Sequence, residues 1–431
     1  MVIASLFSCN ESNEVYKTTL NDPETYQATV KKLTDVIVYD IFSPPIASRI
    51  YAYSNMAAYE VMAQCYPDSL FSLTGQVNDF TAPPKPQVNV EPHLAALHAF
   101  MIVGKALVFS TEKLQVYHDS LLLKLDNQGI GKSVKESSLA YGEQMAAHLL
   151  QWANGDMYKQ TRSFPKYQIQ HDTFKWKPTP PDYMEGIEPN WKKIRPLILD
   201  SANQYIPKPP HQLTMDRDSP FFKELKEVYD VGVNLDSGQT DIAKFWDCNP
   251  YVSHHKGHFM FATKKITPGG HWMGITSIAA RKSGSNFKET VEVFTRTSIA
   301  LFDGFISCWD EKWRSLVVRP ETLINQFMDE NWRPLLQTPP FPEYTSGHSV
   351  ISRAAAVTLS DFYGDNFKFH DDTEEEFGLP PRDFKSFFEA SEEAAISRLY
   401  GGIHYRMAIE NGVEQGHKVG EYVVAKLTTT K

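Results

Sequence analysis

The chain has 431 residues, 42% hydrophobic and 22% charged, enough apolar material for a large buried core. A formal charge of -9 and a pI near 5.9 exclude a basic nucleic-acid-binding face. No apolar run reaches the roughly 18–20 residues that span a bilayer.

At the start, residues 1–6 are apolar, and Leu6-Phe7-Ser8-Cys9 followed by Asn10-Glu11-Ser12-Asn13 looks like a bacterial lipobox. The expectation is a signal and tether over residues 1–23, lipidation at Cys9, and export as a periplasmic or outer-membrane lipoprotein. The apolar part is short and has no basic residues before it, which departs from the usual pattern. Cys65, Cys248 and Cys308 have no CxxC spacing. They are expected to be small buried hydrophobes, neither a disulfide framework nor a zinc site.

Helical spacing of apolar residues predicts helices over 24–42 and 47–64, with Pro44-Pro45 breaking between them. The pattern continues over 93–109, 111–125 and 134–154. Residues 155–212 are rich in proline and aromatics and predict a long irregular connection lying over a core. Helices return at 221–229 and 239–245. An N-cap candidate at Ser285-Asn286 opens a helix to about residue 313. Another starts at Thr345 or Ser346 and stops before Gly364, and a third runs from 383 to about 399, ended by Gly401-Gly402. The acidic stretch 371–376 predicts a solvated loop or a helix start. No alternating strand pairs, internal repeats or GxGxxG loop are found. The fold class is all-α: a single large helical domain over 24–431, built as two packed bundles, with the active-site half at about 240–425.

Three basic or nucleophilic clusters follow one another near the C-terminus. Lys312 precedes Arg319-Pro320, then comes Thr345-Ser346-Gly347-His348, then Ser397-Arg398 with His404. At a helix start the first amides lack internal partners and carry the positive end of the dipole, so Ser346 and Gly347 make a ready anion site. Pro320 predicts that a helix ends just before Arg319. Gly401-Gly402 lets Arg398 end one element and His404 begin the next, so both can face one cavity. Each cluster alone is commonly structural. His254, His255 and His258 form an apparent metal cluster, with 254 and 258 spaced one helical turn apart. No third ligand follows at a familiar spacing, and they read as polar surface or pocket-rim residues.

The three clusters in order resemble the signature shared by vanadium-dependent haloperoxidases and type-2 phosphatidic acid phosphatases. Ser43-Pro44-Pro45, Arg49-Ile50-Tyr51-Ala52-Tyr53, Phe245-Trp246-Asp247 and Pro268-Gly269-Gly270-His271-Trp272 are similar to bacterial members of the haloperoxidase branch. Trp309, three before the lysine, and Phe341, five before the serine, match the aromatic pair of fungal chloroperoxidase and bacterial iodoperoxidases. The resemblance implies vanadate as cofactor, ligated by His348. It also implies Lys312, Arg319, Ser346, Gly347 and Arg398 on the oxygens, and His404 as acid-base. Lys312 would polarise bound peroxide. Hydrogen peroxide and a halide, iodide foremost with bromide open, are the implied substrates. Trp309, Phe341 and Tyr251 would line the halide pocket, and His271-Trp272 the halide approach.

Two positions depart from the family pattern. Thr345 stands where the family has proline. Ala408 stands where it has an aspartate after the last histidine, and Glu410 is the expected substitute. The alternative function is an acid phosphatase acting through a phosphohistidine at His348, since vanadate and phosphate are near-isosteres. A non-catalytic, saccharide-binding lipoprotein is a third reading, opposed by the complete cationic trio.

Overall fold

The computed structural model describes residues 15–256 and 259–431, with the side chains of 254–261 excepted. Cys9 and His258 lie outside the described residues, as do the side chains of His254 and His255. The helices are α1 (Val15–Asn21), α2 (Pro23–Tyr39), α3 (Pro44–Cys65), α4 (Pro92–Leu107), α5 (Thr111–Asn127), α6 (Lys132–Ala153) and the single turn α7 (Tyr158–Thr161). After the irregular connection come α8 (Pro220–Val233), α9 (Ser237–Phe245) and the strands β1 (Val252–Lys256) and β2 (Phe259–Thr263). Then follow α10 (Pro268–Ser283), α11 (Phe287–Ser315), α12 (Pro320–Phe327) and α13 (Gly347–Tyr363). Strands β3 (Phe369–Asp371) and β4 (Arg382–Phe384), α14 (Phe387–Tyr400) and α15 (Arg406–Lys426) complete the chain.

Pro44, read as a breaker, is a helix starter, and it is one of several. Pro23, Pro44, Pro92, Pro220, Pro268 and Pro320 all stand in the first turn. There the missing N–H is no loss and the fixed φ is already helical. Asn286 and Glu289 close a reciprocal capping box at the start of α11.

The helix α11 is the axis of the molecule. From Thr290 to Trp313 every residue is buried, which requires packing on all sides. It packs on α3 on one side and on α13, α10 and α15 on the other. α3, α4, α5 and α6 form the N-terminal bundle, while α10, α13, α14 and α15 form the C-terminal one. The two bundles share one hydrophobic core. Among the polar side chains that α11 buries, Asp303 accepts the amides of Leu197, Ile198 and Leu199 at 2.7, 2.7 and 2.9 Å, fastening the irregular connection to the axis. Away from the site, Arg49 pairs with Asp156 at 2.6 Å, and Tyr53 donates to the same oxygen at 2.7 Å.

One close approach positions the site. Gly412, Gly416 and Gly420 recur every four residues along the face of α15 that meets α13. A Cβ on Gly420 would lie 3.0 Å from the Ala354 carbonyl, and one on Gly416 well inside contact with the Val350 carbonyl. Without side chains there, α15 settles directly on the backbone of the helix that carries His348.

The all-α, two-bundle expectation holds, with corrections. Two small antiparallel pairs exist, β1–β2 and β3–β4; strands of three to five residues carry too few positions for alternation to show. His254 lies in strand β1 and not on a helix. Asp383 belongs to β4, and α14 starts later, capped by Ser386. Residues 15–21 form α1 with Leu20 fully buried, so they belong to the folded domain and not to a tether. The 371–376 stretch is not simply solvated. Asp371 and Glu374 are buried while Asp372, Glu375 and Glu376 face water, because both buried carboxylates reach His271.

Candidate active site

The three sequence clusters converge. Lys312 sits in the last turn of α11, which ends at Leu316 in the left-handed conformation, φ 56. The chain then reverses and presents Arg319 in extended conformation, just before Pro320 opens α12. The seven-residue spacing therefore does not reflect one helix face; the reversal brings the two cations together. Arg398 lies in the last turn of α14. The Gly401-Gly402 turn, with Gly402 at φ 75, returns the chain so that His404 stands just ahead of α15.

These elements meet at one end of a cavity of about 560 Å³. Gly347, His348, Arg398 and His404 form the polar end. Trp309, Phe341, Phe305, Ile187 and several prolines form the apolar wall, and Tyr251 lines the same cavity. The active-site half proposed from sequence was drawn too narrowly: Ser43, Pro44, Asp182 and Ile187 also line the cavity. His271 and Trp272 do not. Both are fully buried behind the wall, with Trp272 Nε1 donating to Ser352 Oγ at 2.8 Å.

Arg398 Nη1 donates to the Trp246 carbonyl and lies 3.1 Å from His348 Nε2. Arg319 Nε donates to the Phe341 carbonyl at 2.9 Å. Its Nη1 donates to the Ile403 carbonyl at 2.8 Å and lies 3.2 Å from His404 Nε2. Both histidines thus turn a lone-pair nitrogen toward a guanidinium. His404 Nδ1 meets Glu343 Oε1 at 2.8 Å, and the Tyr405 amide donates to that same oxygen at 2.9 Å. Glu410 is exposed and faces Arg406 instead, at 3.8 Å. Glu343, not Glu410, is the carboxylate on His404. Sequence reasoning missed it because its partner lies 61 positions away; the only hint was a lone acid in the apolar segment Pro339-Pro340-Phe341-Pro342.

Lys312 stands behind this surface. Its ammonium donates to the carbonyls of Pro342 and Glu343 at 3.0 Å each and to that of Thr345. Those three bonds use all three ammonium donors. They clamp the loop before α13, and the charge sits 5.1 Å from the Phe341 ring centroid. Arg319 lies 5.0 Å from the same ring, so Phe341 carries two cations on its face. Trp309 packs beside it at 5.0 Å and donates its indole N–H to the Ile187 carbonyl at 3.2 Å. Ser346 caps α13 by accepting the Ser349 amide at 3.3 Å. The Gly347 and His348 amides have no carbonyl in their own helix to bond.

Burial dominates the electrostatics. It lowers Lys312 to about 8 and Arg319 to about 10, and lowers Arg398. It pushes the Glu343 carboxyl up to about 8. It holds His348 and His404 well below the usual imidazole value, with the neighbouring Arg398 and Arg319 acting in the same direction. The pocket thus gathers positive charge and neutral imidazoles, the state in which a ring nitrogen can act as ligand or base.

The unfilled donors fit an oxyanion. Arg319 Nη2 and Arg398 Nε are buried with no partner among the described residues. Such groups are costly unless an acceptor reaches them, and an oxyanion supplies charged acceptors. At Gly347, a Cβ would meet only the Trp309 ring, at 3.7 Å, so space over the helix start is open.

The chain matches the solved crystal structure described as the first bacterial vanadium-dependent iodoperoxidase, with 52% sequence identity and a TM-score of 0.90. The match covers 94% of this chain and 97% of that one. The chain belongs to the vanadium-dependent haloperoxidase family. Residues 325–430 also match the family model of the second helical-bundle domain of VCPO. Holo and apo structures of a bacterial vanadium-dependent chloroperoxidase share the haloperoxidase fold at 16% and 15% identity, each with a TM-score of 0.67. They cover 90% and 89% of this chain and 93% and 95% of theirs. A comparison with curated protein sequences gives no match.

Proposed function

We propose that this haloperoxidase oxidises halide, iodide foremost, with hydrogen peroxide, using vanadate held at the polar end of the cavity. The observation that carries this reading is the pair of guanidinium nitrogens with no partner among the described residues, Arg319 Nη2 and Arg398 Nε, beside the two neutral histidines at the end of one apolar cavity. When bound, vanadate supplies Lewis acidity toward peroxide without changing its own oxidation state.

The residues divide the remaining work. His348 offers Nε2 as ligand; Arg398, which now donates to that atom, turns its hydrogens to the anion. Arg319 and Arg398 grip oxygens through planar forks and stay charged in a dry site. The Gly347 and His348 amides add the helix-start field. His404 Nε2 would serve as the atom that takes up and gives back a proton when hydrogen peroxide enters, while Glu343 holds the ring by Nδ1. Lys312 holds the 342–345 loop and adds positive potential from behind. Reaching an oxygen itself would require it to leave one of its three carbonyls. Trp309, Phe341 and Tyr251 give a large, weakly hydrated halide an apolar approach, which favours iodide. For the N-terminus we propose export with lipidation at Cys9, resting on the lipobox-like sequence alone; mass spectrometry of the purified membrane-fraction protein tests it.

The deciding experiment measures oxidation of iodide, bromide and chloride with and without vanadate, for wild type and His348→Ala. Activity should need vanadate and vanish in the variant; a fully active His348→Ala protein refutes the assignment. A phosphatase reading keeps one support. With Glu343 on His404, the missing carboxylate at Ala408 no longer argues against hydrolysis. Turnover of a phosphate ester by the vanadate-free protein measures it.

A further inference from the structure

A second cluster of metal-ligating side chains lies behind the cavity wall. Cys248 follows α9, His271 is in the first turn of α10, and Glu374 is in the loop after β3. All three are buried. Cys248 Sγ lies 3.5 Å from His271 Nδ1 and 4.0 Å from Glu374 Oε1, and His271 Nδ1 lies 3.1 Å from Glu374 Oε1. An ion bound tetrahedrally, about 2.3 Å from sulfur and about 2.0–2.1 Å from nitrogen and oxygen, holds its ligands roughly 3.3–3.6 Å apart. The observed triangle departs from that by no more than about half an ångström and needs only side-chain adjustment to close.

The histidine is already aimed. Its Nε2 meets Asp371 Oδ2 at 2.9 Å. The other Asp371 oxygen accepts from the Thr373 amide at 3.1 Å and its hydroxyl at 2.6 Å. The imidazole also stacks on Trp246, centroids 4.5 Å apart. A ring clamped at Nε2 by a carboxylate presents Nδ1, the arrangement that fixes tautomer and orientation in histidine–metal sites.

We propose that Cys248, His271 and Glu374 bind one divalent cation of borderline softness, zinc before others, with a fourth position open to water. Sulfur, nitrogen and oxygen donors together favour zinc over hard cations. Cys248 also lines the active-site cavity, which gives the ion a way in. Binding displaces the thiol proton of Cys248 and the proton on His271 Nδ1. Both leave to solvent, and no oxidant takes part. The ion would tie the segment after α9 to α10 and to the β3–β4 loop. Two residues before Cys248 is Trp246, whose backbone bonds both Arg398 and His348. The site thus stiffens the main chain that orients the anion cradle, and it stands without the peroxidase reading.

The test uses the full, untagged chain without vanadate, loaded with zinc sulfate and desalted, with zinc counted by plasma mass spectrometry. About one zinc per chain is expected in wild type and in His348→Ala, and roughly tenfold less in Cys248→Ala. The cobalt form should show a thiolate-to-metal charge-transfer band that Cys248→Ala lacks. Background zinc in wild type overturns the site, as does undiminished zinc in Cys248→Ala, which would point to another ligand set such as the β1 histidines. Should Cys248→Ala not fold, Glu374→Gln, which conserves volume, serves for the same comparison.

Discussion

Glu343 and His404 are joined by a 2.8 Å hydrogen bond between Oε1 and Nδ1, tying the loop ahead of α13 to the loop ahead of α15. The Tyr405 amide fixes the same carboxylate oxygen, so the imidazole cannot turn without breaking a three-member contact. In Glu343→Ala, vanadate should still bind, while turnover should fall by roughly 10–100-fold, the usual cost of losing an orienting partner. Glu343→Gln, which keeps an acceptor oxygen, should recover part of that loss and alter the pH profile. Steady-state rates at saturating vanadate decide it; equal losses in the two variants would assign Glu343 a purely structural part.

The same carboxyl carries a stability signature. Burial pushes it up to about 8 in the folded chain, against about 4.3 in the unfolded one. Between those values the folded state binds more protons, so stability falls as pH rises. Below about pH 4.3 both states are protonated and the contribution is flat. The melting temperature of the vanadate-free wild type should therefore decline relative to Glu343→Gln from about pH 4.3 to pH 8. Parallel curves over that window would show that the carboxyl is not displaced.

Backbone contact between α13 and α15 is the next point of leverage. A methyl group on Gly416 meets the Val350 carbonyl, part of a rigid helix and not the end of a flexible side chain. Gly416→Ala should cost about 1–3 kcal/mol or more, read as a lower melting temperature. By moving the helix that begins at Gly347, it should weaken vanadate retention more than Gly131→Ala does, since Gly131 has an ordinary φ of -64 and nothing lies within 4 Å of a Cβ there.

Much of this was visible in the chain. Apolar spacing located most helices, and the order of Lys312, Arg319, Ser346-Gly347-His348, Arg398 and His404 marked the site before any geometry. What stayed hidden has physical causes. Proline at N1 and proline as a breaker look alike until the residue before it is known to be extended, so α10 and α12 were not anticipated. The reversal at Leu316 needs a left-handed residue that no glycine announced. Asp371 and Glu374 read as part of a solvated stretch because acids usually are, and Glu343 drew no reading at all. Their burial depends on partners that are remote in sequence, His404 and His271. Lys312 was visible as a cation, but its commitment to three carbonyls was not.

Arg398 offers a test that separates charge from shape. Its guanidinium is fully buried and spans the Trp246 carbonyl and His348 Nε2 with one nitrogen, leaving Nε free for an oxygen. A lysine there has no fork. It would meet the same desolvation that lowers Lys312 to about 8, with Arg319 nearby to disfavour a further charge. Arg398→Lys should therefore lose the planar fork and hold its charge less firmly, though both residues are formally basic. Losing one charge-assisted hydrogen bond, about 1.5–3 kcal/mol, predicts a roughly 10–100-fold weaker vanadate affinity. The measurement is a vanadate titration of restored iodide oxidation. The fold itself should survive, because α14 is held by the buried side chains Phe387, Ala390, Ala394 and Leu399, so circular dichroism should be unchanged. An unaltered vanadate midpoint would mean that positive potential alone, not the planar fork, holds the anion.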